Sequence, residues 1–339
     1  MEQQNFLSVE ENAFPKFFNG IDLFNMLNGA FKKLENYIDL INNINVFPVS
    51  DGDTGINMYQ TVRSIIYEIK HSNQSINHIG KVISSASMGA FRGSVGNSGI
   101  ILAEYFRGLE QAWKHFHTID SVLFAKGLIL AAKFAYEAIE NPREGTILTV
   151  AKVISETAII WAETVTSPYE LIFLVFDEAK MALLDTHRLL HEANFAGVVD
   201  AGAIGLVLIF EGFINAIIEK LPHPATSFQT IDDDLLPFLE PKKKFSEIEP
   251  EFELIFRISN LLKPLDLIKV ELRKEGNCLL VISNDSLSEI KVHIHCSNPN
   301  DVITKIKDFV GFFEVISIQA LHEQNQEYKK SIEKTVKVD

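Results

Sequence analysis

Phe24, Leu27, Phe31, Leu34, Ile38 and Ile41 recur at intervals of three and four residues, which places them on one face of a helix. The same spacing returns near residues 56–71, 77–90, 98–117, 119–140, 145–164, 167–187 and 203–219, with short connections between the stretches. Residues 1–220 therefore read as an all-α domain of about eight helices, because each apolar stripe must be buried against another helix. With 47% hydrophobic residues in 339, the chain has enough apolar surface for that core and for a second domain.

The helical pattern stops at Lys220. Pro222, Pro224, Pro237, Pro241 and Pro250 follow within one stretch that also holds Asp232, Asp233 and Asp234 and Lys242, Lys243 and Lys244, so residues 221–250 read as a linker. Beyond it the period changes. Phe252 to Ile258 alternates, Cys278 to Ile282 and Ile290 to Cys296 are β-rich, Asp301 to Val310 is helical, and Phe313 to Leu321 is extended again. The order β-α-β-β-α-β predicts a small α+β ferredoxin-like domain over residues 251–325, and residues 326–339 read as a charged tail.

A formal net charge of −14 repels nucleic acid and anionic lipid, so a phosphate ligand must be held locally by cations and backbone amides. Two cysteines, Cys278 and Cys296, are too few for a disulfide framework and fit a reducing compartment. The first residues show no basic segment followed by an apolar one, and charge interrupts the long apolar runs, as Glu211 does between Leu206 and Phe213. A cytoplasmic protein without a membrane span is the expectation.

Four strings carry chemistry. In the first, Asn45 to Met58, Asp51 and Asp53 flank Gly52 between two helices, where two carboxylates can face hard cations whose remaining ligands are water and phosphate. As an isolated string it equally fits a polar turn. The calcium-binding EF-hand pattern is excluded by Gly55, Ile56 and Val62, which stand where it wants a polar ligand, glycine and glutamate. The second string, Gly89 to Gly99, sets small residues just before a helix, where amides and the helix dipole favour an anion. The third, Asn141 to Val150, and the fourth, Gly197 to Gly205, also open helices, and such starts can gather at one end of a closed bundle.

In this order and spacing, NVFPVSDGDTGINM, GNSGIIL, REGTILTVAK and AGVVDAGAIGL resemble the nucleotide-binding domain of the dihydroxyacetone kinase L-subunit family. Within it they are most similar to the ATP-binding subunit of bacterial fatty acid kinase, and the IKVHIHCSNPNDV stretch resembles that subunit's middle domain. The resemblance implies an eight-helix barrel whose loops at one end hold ATP and two magnesium ions. It makes Asp51 and Asp53 the catalytic metal ligands, with Asn45 as a third. It places Thr54, Asn57, Gly96, Asn97 and Ser98 at the phosphates, Thr146 and Leu148 near the base, and Asp200 and Gly202 at the closing edge of the pocket. Val95 stands where the family usually has arginine, and Gly202 to Gly205 departs from its Gly-Gly-Gln-Gly; Arg92 is the nearest replacement for the missing charge. The resemblance ends with the middle domain, without the family's C-terminal domain.

If Val292, Ile294 and Cys296 face a core, His293 and His295 share the other face of the strand, at a spacing that suits zinc or simply solvent. A structural zinc usually takes four protein ligands, and Glu253 is the nearest third in register. The resemblance implies a kinase that passes phosphate to a fatty acid carboxylate presented by a fatty-acid-binding or other partner protein. Two alternatives share every residue named: part of a glycerone (dihydroxyacetone) kinase, and a nucleotide sensor that transfers nothing. The second domain is expected to serve a homodimer or a partner through its open sheet.

Overall fold

The computed structural model of the chain describes residues 14–220, 234–242, 251–284 and 287–321. The charged tail, and the linker apart from residues 234–242, lie outside the described residues.

The helical domain contains α1 (Gly20–Glu35), α2 (Ile38–Asn43), α3 (Thr54–His71), α4 (Ile79–Gly93), α5 (Gly96–Trp113), α6 (Ser121–Glu137), α7 (Ile147–Trp161), α8 (Pro168–Leu189), α9 (His191–Ala196) and α10 (Ala201–Ile218). The stripe from Phe24 to Ile41 is not one helix, because α1 ends at Glu35 and α2 begins after Tyr37. The long helices close into a ring in the order α1, α3, α4, α5, α6, α7, α8, α10, each packed on the next and α10 returning to α1. This is the eight-helix barrel that the resemblance implies, with the number of long helices that the periodicity gives.

Side-chain caps fix where these helices begin. Asn19 and Asp22 form a capping box on α1, and Asp120, Thr146, Ser167 and Asp200 accept amides at the starts of α6, α7, α8 and α10. Gly197, at φ +78°, ends α9 in the left-handed conformation glycine tolerates. Helix α10 is long and apolar enough to cross a bilayer, yet it lies in the core, with 89% of its apolar window buried. Its one acid, Glu211, pairs with Lys33 of α1 at 2.5 Å.

Residues 234–242 lie on the barrel: Leu235 and Leu239 are buried, Val199 N donates to Phe238 O, and Lys242 N donates to Ala196 O. The described part of the linker is thus bound to the helical domain, because its apolar residues find a surface there.

The second domain runs β1 (Phe252–Leu261), α11 (Leu265–Leu272), β2 (Gly276–Asn284), β3 (Glu289–Cys296), α12 (Pro299–Lys307) and β4 (Val310–Ala320). The strands form one antiparallel sheet in the order β2-β3-β1-β4, as the alternation predicts. Leu254, Phe256, Ile258, Val292, Ile294 and Cys296 pack with Ile268, Leu272, Val302 and Ile306 of the two helices. The opposite face is covered along β1, β2 and β3, where Ile255, Leu280, Ile282, Lys291, His293 and His295 are buried. Leu280 and Ile282 join the core of the barrel, and Arg273 pairs with Glu140 at 2.8 Å across the junction.

Where α1 crosses α10, Gly29 lies against Gly212, and a Cβ added at Gly29 would come within 2.1 Å of Gly212 O. Gly29→Val should therefore destabilise the chain by about 3 kcal/mol, through overpacking of a contact that backbone cannot yield. Chemical denaturation checks this, and a cost under about 0.5 kcal/mol would show that the crossing can open.

Candidate active site

Gly52 adopts φ +75°, a turn that keeps Asp51 and Asp53 side by side at the start of α3. Asp51 is buried. Burial pushes its carboxyl well above the usual range, and the charges of Asp53 and Glu253 add to the shift. Burial raises Asp53 as well. Both acids, with Asn57, line an opening of about 420 Å³ whose opposite wall comes from the sheet: Glu253 and Ile255 of β1, and Ser317 and Gln319 of β4.

The start of α3 is capped from behind. Asn42 Oδ1 accepts from Gly55 N at 2.7 Å and from Ile56 N at 3.3 Å. Asn45 Oδ1 accepts from Thr54 N at 3.1 Å and from the Thr54 hydroxyl, while its Nδ2 donates to Val49 O at 2.6 Å. Asn45 thus braces the acid loop in this structure, its oxygen accepting from Thr54 and its amide nitrogen donating to Val49 O.

A second cleft, of about 310 Å³, adjoins Thr54. Asn97 and Ser98 of α5, Thr146 at the start of α7, and Asp200 and Gly202 at the start of α10 line it, so three helix N-termini converge there. Gly96 opens α5 at φ +61°, and a Cβ there would strike Asn57 Nδ2 at 2.1 Å, so only glycine lets α5 sit this close to α3. Leu148 does not reach the cleft. It is fully buried in the core, and Ile147, one position earlier, lines the cavity together with Ile101, Ile139 and Phe47. A helix turns about 100° per residue, and the string of residues alone offers no means of choosing between neighbours.

Asp200 holds two of these helix starts at once. Its Oδ2 accepts from Ala203 N at 2.8 Å and from Ile147 N at 3.0 Å, tying α10 to α7. Burial lifts its pKa to about 7, against the lowering effect of those amides.

His293 and His295 are both fully buried, contrary to a solvent-facing reading, because the barrel covers their face of the sheet. Their rings lie 4.9 Å apart, and Glu253 completes a cluster whose ligand atoms all fall within 4.8 Å. Burial holds His293 well below its ordinary pKa and His295 at about 4, so both imidazoles are neutral; His293 Nδ1 lies 3.3 Å from Glu253 Oε1 without a well-aligned hydrogen bond, and the other three ring nitrogens have no hydrogen-bond partner among the described residues. Glu253 is raised to about 8 by burial and by Asp53. Buried, neutral imidazole nitrogens beside a carboxyl group are a donor set that suits a zinc ion.

Arg92 does not replace the charge missing at Val95, since it pairs with Glu68 at 2.7 Å on the exposed side of α4. Sequence reasoning also missed Cys278, Leu279 and Leu280, which β2 contributes to the wall of the second cleft, and Lys291, buried on the histidine face of β3. Polar residues alternating along Lys291, His293 and His295 were the one available signal, and alone they read as a wetted strand.

Two family models match: one described as DAK2 domain over residues 48–215, and one for the middle domain of the A-like subunit of fatty acid kinase over residues 249–328. Among curated relatives, protein YloV of Bacillus subtilis strain 168 is 35% identical over 292 residues, covering 83% of this chain and 52% of that protein. An uncharacterized protein of Staphylococcus saprophyticus is 31% identical over 299 residues, covering 85% of this chain and 52% of its own length. The chain thus spans about half the length of the curated relatives it matches. Among solved structures, the dihydroxyacetone kinase of C. freundii in complex with AMP-PNP and Mg2+ matches 64% of this chain and 37% of its own, at 16% identity and a TM-score of 0.45.

A carboxyl whose pKa is higher folded than unfolded contributes stability that is complete at low pH and lost as pH rises through the folded value. Relative to Asp200→Asn, the wild-type chain should therefore lose stability between about pH 4 and pH 7. Denaturation of both proteins across that range measures it, and a constant difference would show that Asp200 titrates as an ordinary carboxylate.

Proposed function

Because the chain belongs to the kinase-related family that joins a DAK2 domain to the middle domain of a fatty acid kinase A-like subunit, we propose that it binds ATP with two magnesium ions and transfers the γ-phosphate to a carboxylate presented by a separate acyl-binding protein. The observation that carries this reading is the buried acid pair Asp51 and Asp53, set beside a cleft on which three helix N-termini converge. Two like charges at that depth are unfavourable unless cations join them, and divalent ions with open coordination positions fit the pair.

In this reading Asp51 and Asp53 hold the ions, which supply neutralisation of charge on the transferring phosphoryl group. Gly96, Asn97 and Ser98 offer the first amides and a hydroxyl of α5 to the phosphates, and Thr54 and Asn57 flank them. Phe47, Ile101 and Ile147 give the base an apolar wall, and Thr146, Asp200 and Gly202 fix that wall by fastening the starts of α7 and α10. The chain's contribution to catalysis is positioning and electrostatics rather than covalent chemistry.

Presentation by a partner fits the edge of the sheet. Strand β4 is an edge strand with Phe312, Val315, Ile316 and Ile318 exposed, while its Ser317 and Gln319 line the opening that holds the two acids. A partner seated on that edge would bring its cargo beside the phosphate. We assign zinc to Glu253, His293 and His295, where it would fasten β1 to β3 next to the acid loop.

Asp51→Asn and Asp53→Asn should each weaken magnesium-dependent ATP binding by about a hundredfold or more while the chain stays folded. Calorimetry with and without magnesium reads this directly; unchanged affinity in both variants would remove the metal assignment. Phosphate transfer is then assayed with a fatty acid on its binding protein and with dihydroxyacetone. Transfer to the latter alone would make the chain part of a glycerone kinase, and binding without transfer to either would make it a sensor.

Metal analysis of the purified chain should find about one zinc per molecule, lost in His293→Ala/His295→Ala. A wild-type chain free of zinc after purification without chelators would show that the histidines pack without a metal.

A further inference from the structure

Lys291 projects from β3 into the helical domain, and no role described so far uses it. It is 1% exposed. Its Nζ lies 2.6 Å from Phe91 O, 3.1 Å from Arg92 O, 2.9 Å from Ser94 O and 3.2 Å from Ser94 Oγ. These oxygens belong to the last turn of α4 and its cap, where a helix leaves carbonyls without partners. Two residues beyond Ser94, Gly96 begins α5.

We propose that Lys291 is a positioning residue that reaches across from the second domain to fix the joint between α4 and α5, and with it the phosphate-binding start of α5. The inference rests on the nucleotide reading given above. The joint has few bonds of its own, Ser94 N donating to Ala90 O at 2.9 Å and Ser94 Oγ to Phe91 O at 3.2 Å, so the lysine supplies much of what holds it. Its donors also occupy carbonyls that the end of α4 leaves without helical partners.

The strand that carries Lys291 also carries His293 and His295, whose cluster with Glu253 adjoins Asp51 and Asp53. One docked strand therefore sets the distance between the phosphate cradle and the metal-binding acids. Without the lysine, the acids keep their place and the cradle loses its reference.

The test compares the full-length chain with Lys291→Met, which keeps the length of the side chain and removes its donors. Hydrogen exchange should speed about tenfold at the amides from Val95 to Gly99, with α6 to α8 unchanged. In magnesium buffer, affinity for ATP and ADP should fall about tenfold, while adenosine, which has no phosphate, binds as before. Equal loss for all three ligands would make Lys291 a general packing residue, and a folded variant with unaltered exchange and ATP affinity would overturn the assignment. Should Lys291→Met not fold, Lys291→Leu, which likewise has no donors, is put through the same measurements and judged by the same outcomes. A wild-type chain that fails to bind ATP with magnesium removes the nucleotide reading and the cradle with it, whereas wild-type binding with an unaffected variant removes the Lys291 assignment alone.

Discussion

Three carboxyl groups, Asp51, Asp53 and Glu253, meet where the helical barrel and the sheet join, and their burial there is the constraint around which the site is arranged. Each is displaced toward its neutral form, and each belongs to a segment held in place by other bonds: the acid loop by Asn42, Asn45 and the turn at Gly52, and β1 by its pairing with β3 and β4. Burial of three carboxyl groups at one place is unfavourable without a partner, and that is what the proposed cations would supply. The neutral imidazoles of His293 and His295 lie beside Glu253 at the same junction.

The barrel supplies the complementary half. Its closed ring of helices lets the starts of α5, α7 and α10 converge on one cleft, so partial positive charge gathers next to the acids. Asp200 is the mechanical centre of this convergence, since one carboxylate accepts from the first turns of both α7 and α10. Neither half is complete without the sheet. Strand β2 closes the cleft with Cys278, Leu279 and Leu280, β1 and β4 close the acid opening, and Lys291 fastens the joint before α5. A domain expected to serve assembly alone thus lines both openings of the candidate site.

Local pattern was enough for the eight long helices, because periodic burial is written residue by residue, and for the β-α-β-β-α-β order, because alternation and punctuation are local too. The family resemblance that the motifs carry also brought forward Asp51, Asp53, Thr54, Asn57, Asn97, Ser98, Thr146, Asp200 and Gly202, all of which line the two openings. Other features exist only once the chain is folded: Asn45 braces Thr54, Ile147 rather than Leu148 lines the cleft, and Arg92 turns away to Glu68. The burial of Lys291, His293 and His295 is of the same kind. The physical reason is one of information. A period of two states which side chains share a face of a strand, but what covers that face depends on another element far away in the chain, and the polar residues that would wet an open sheet are the same ones that bind, brace and coordinate when a second domain closes over it.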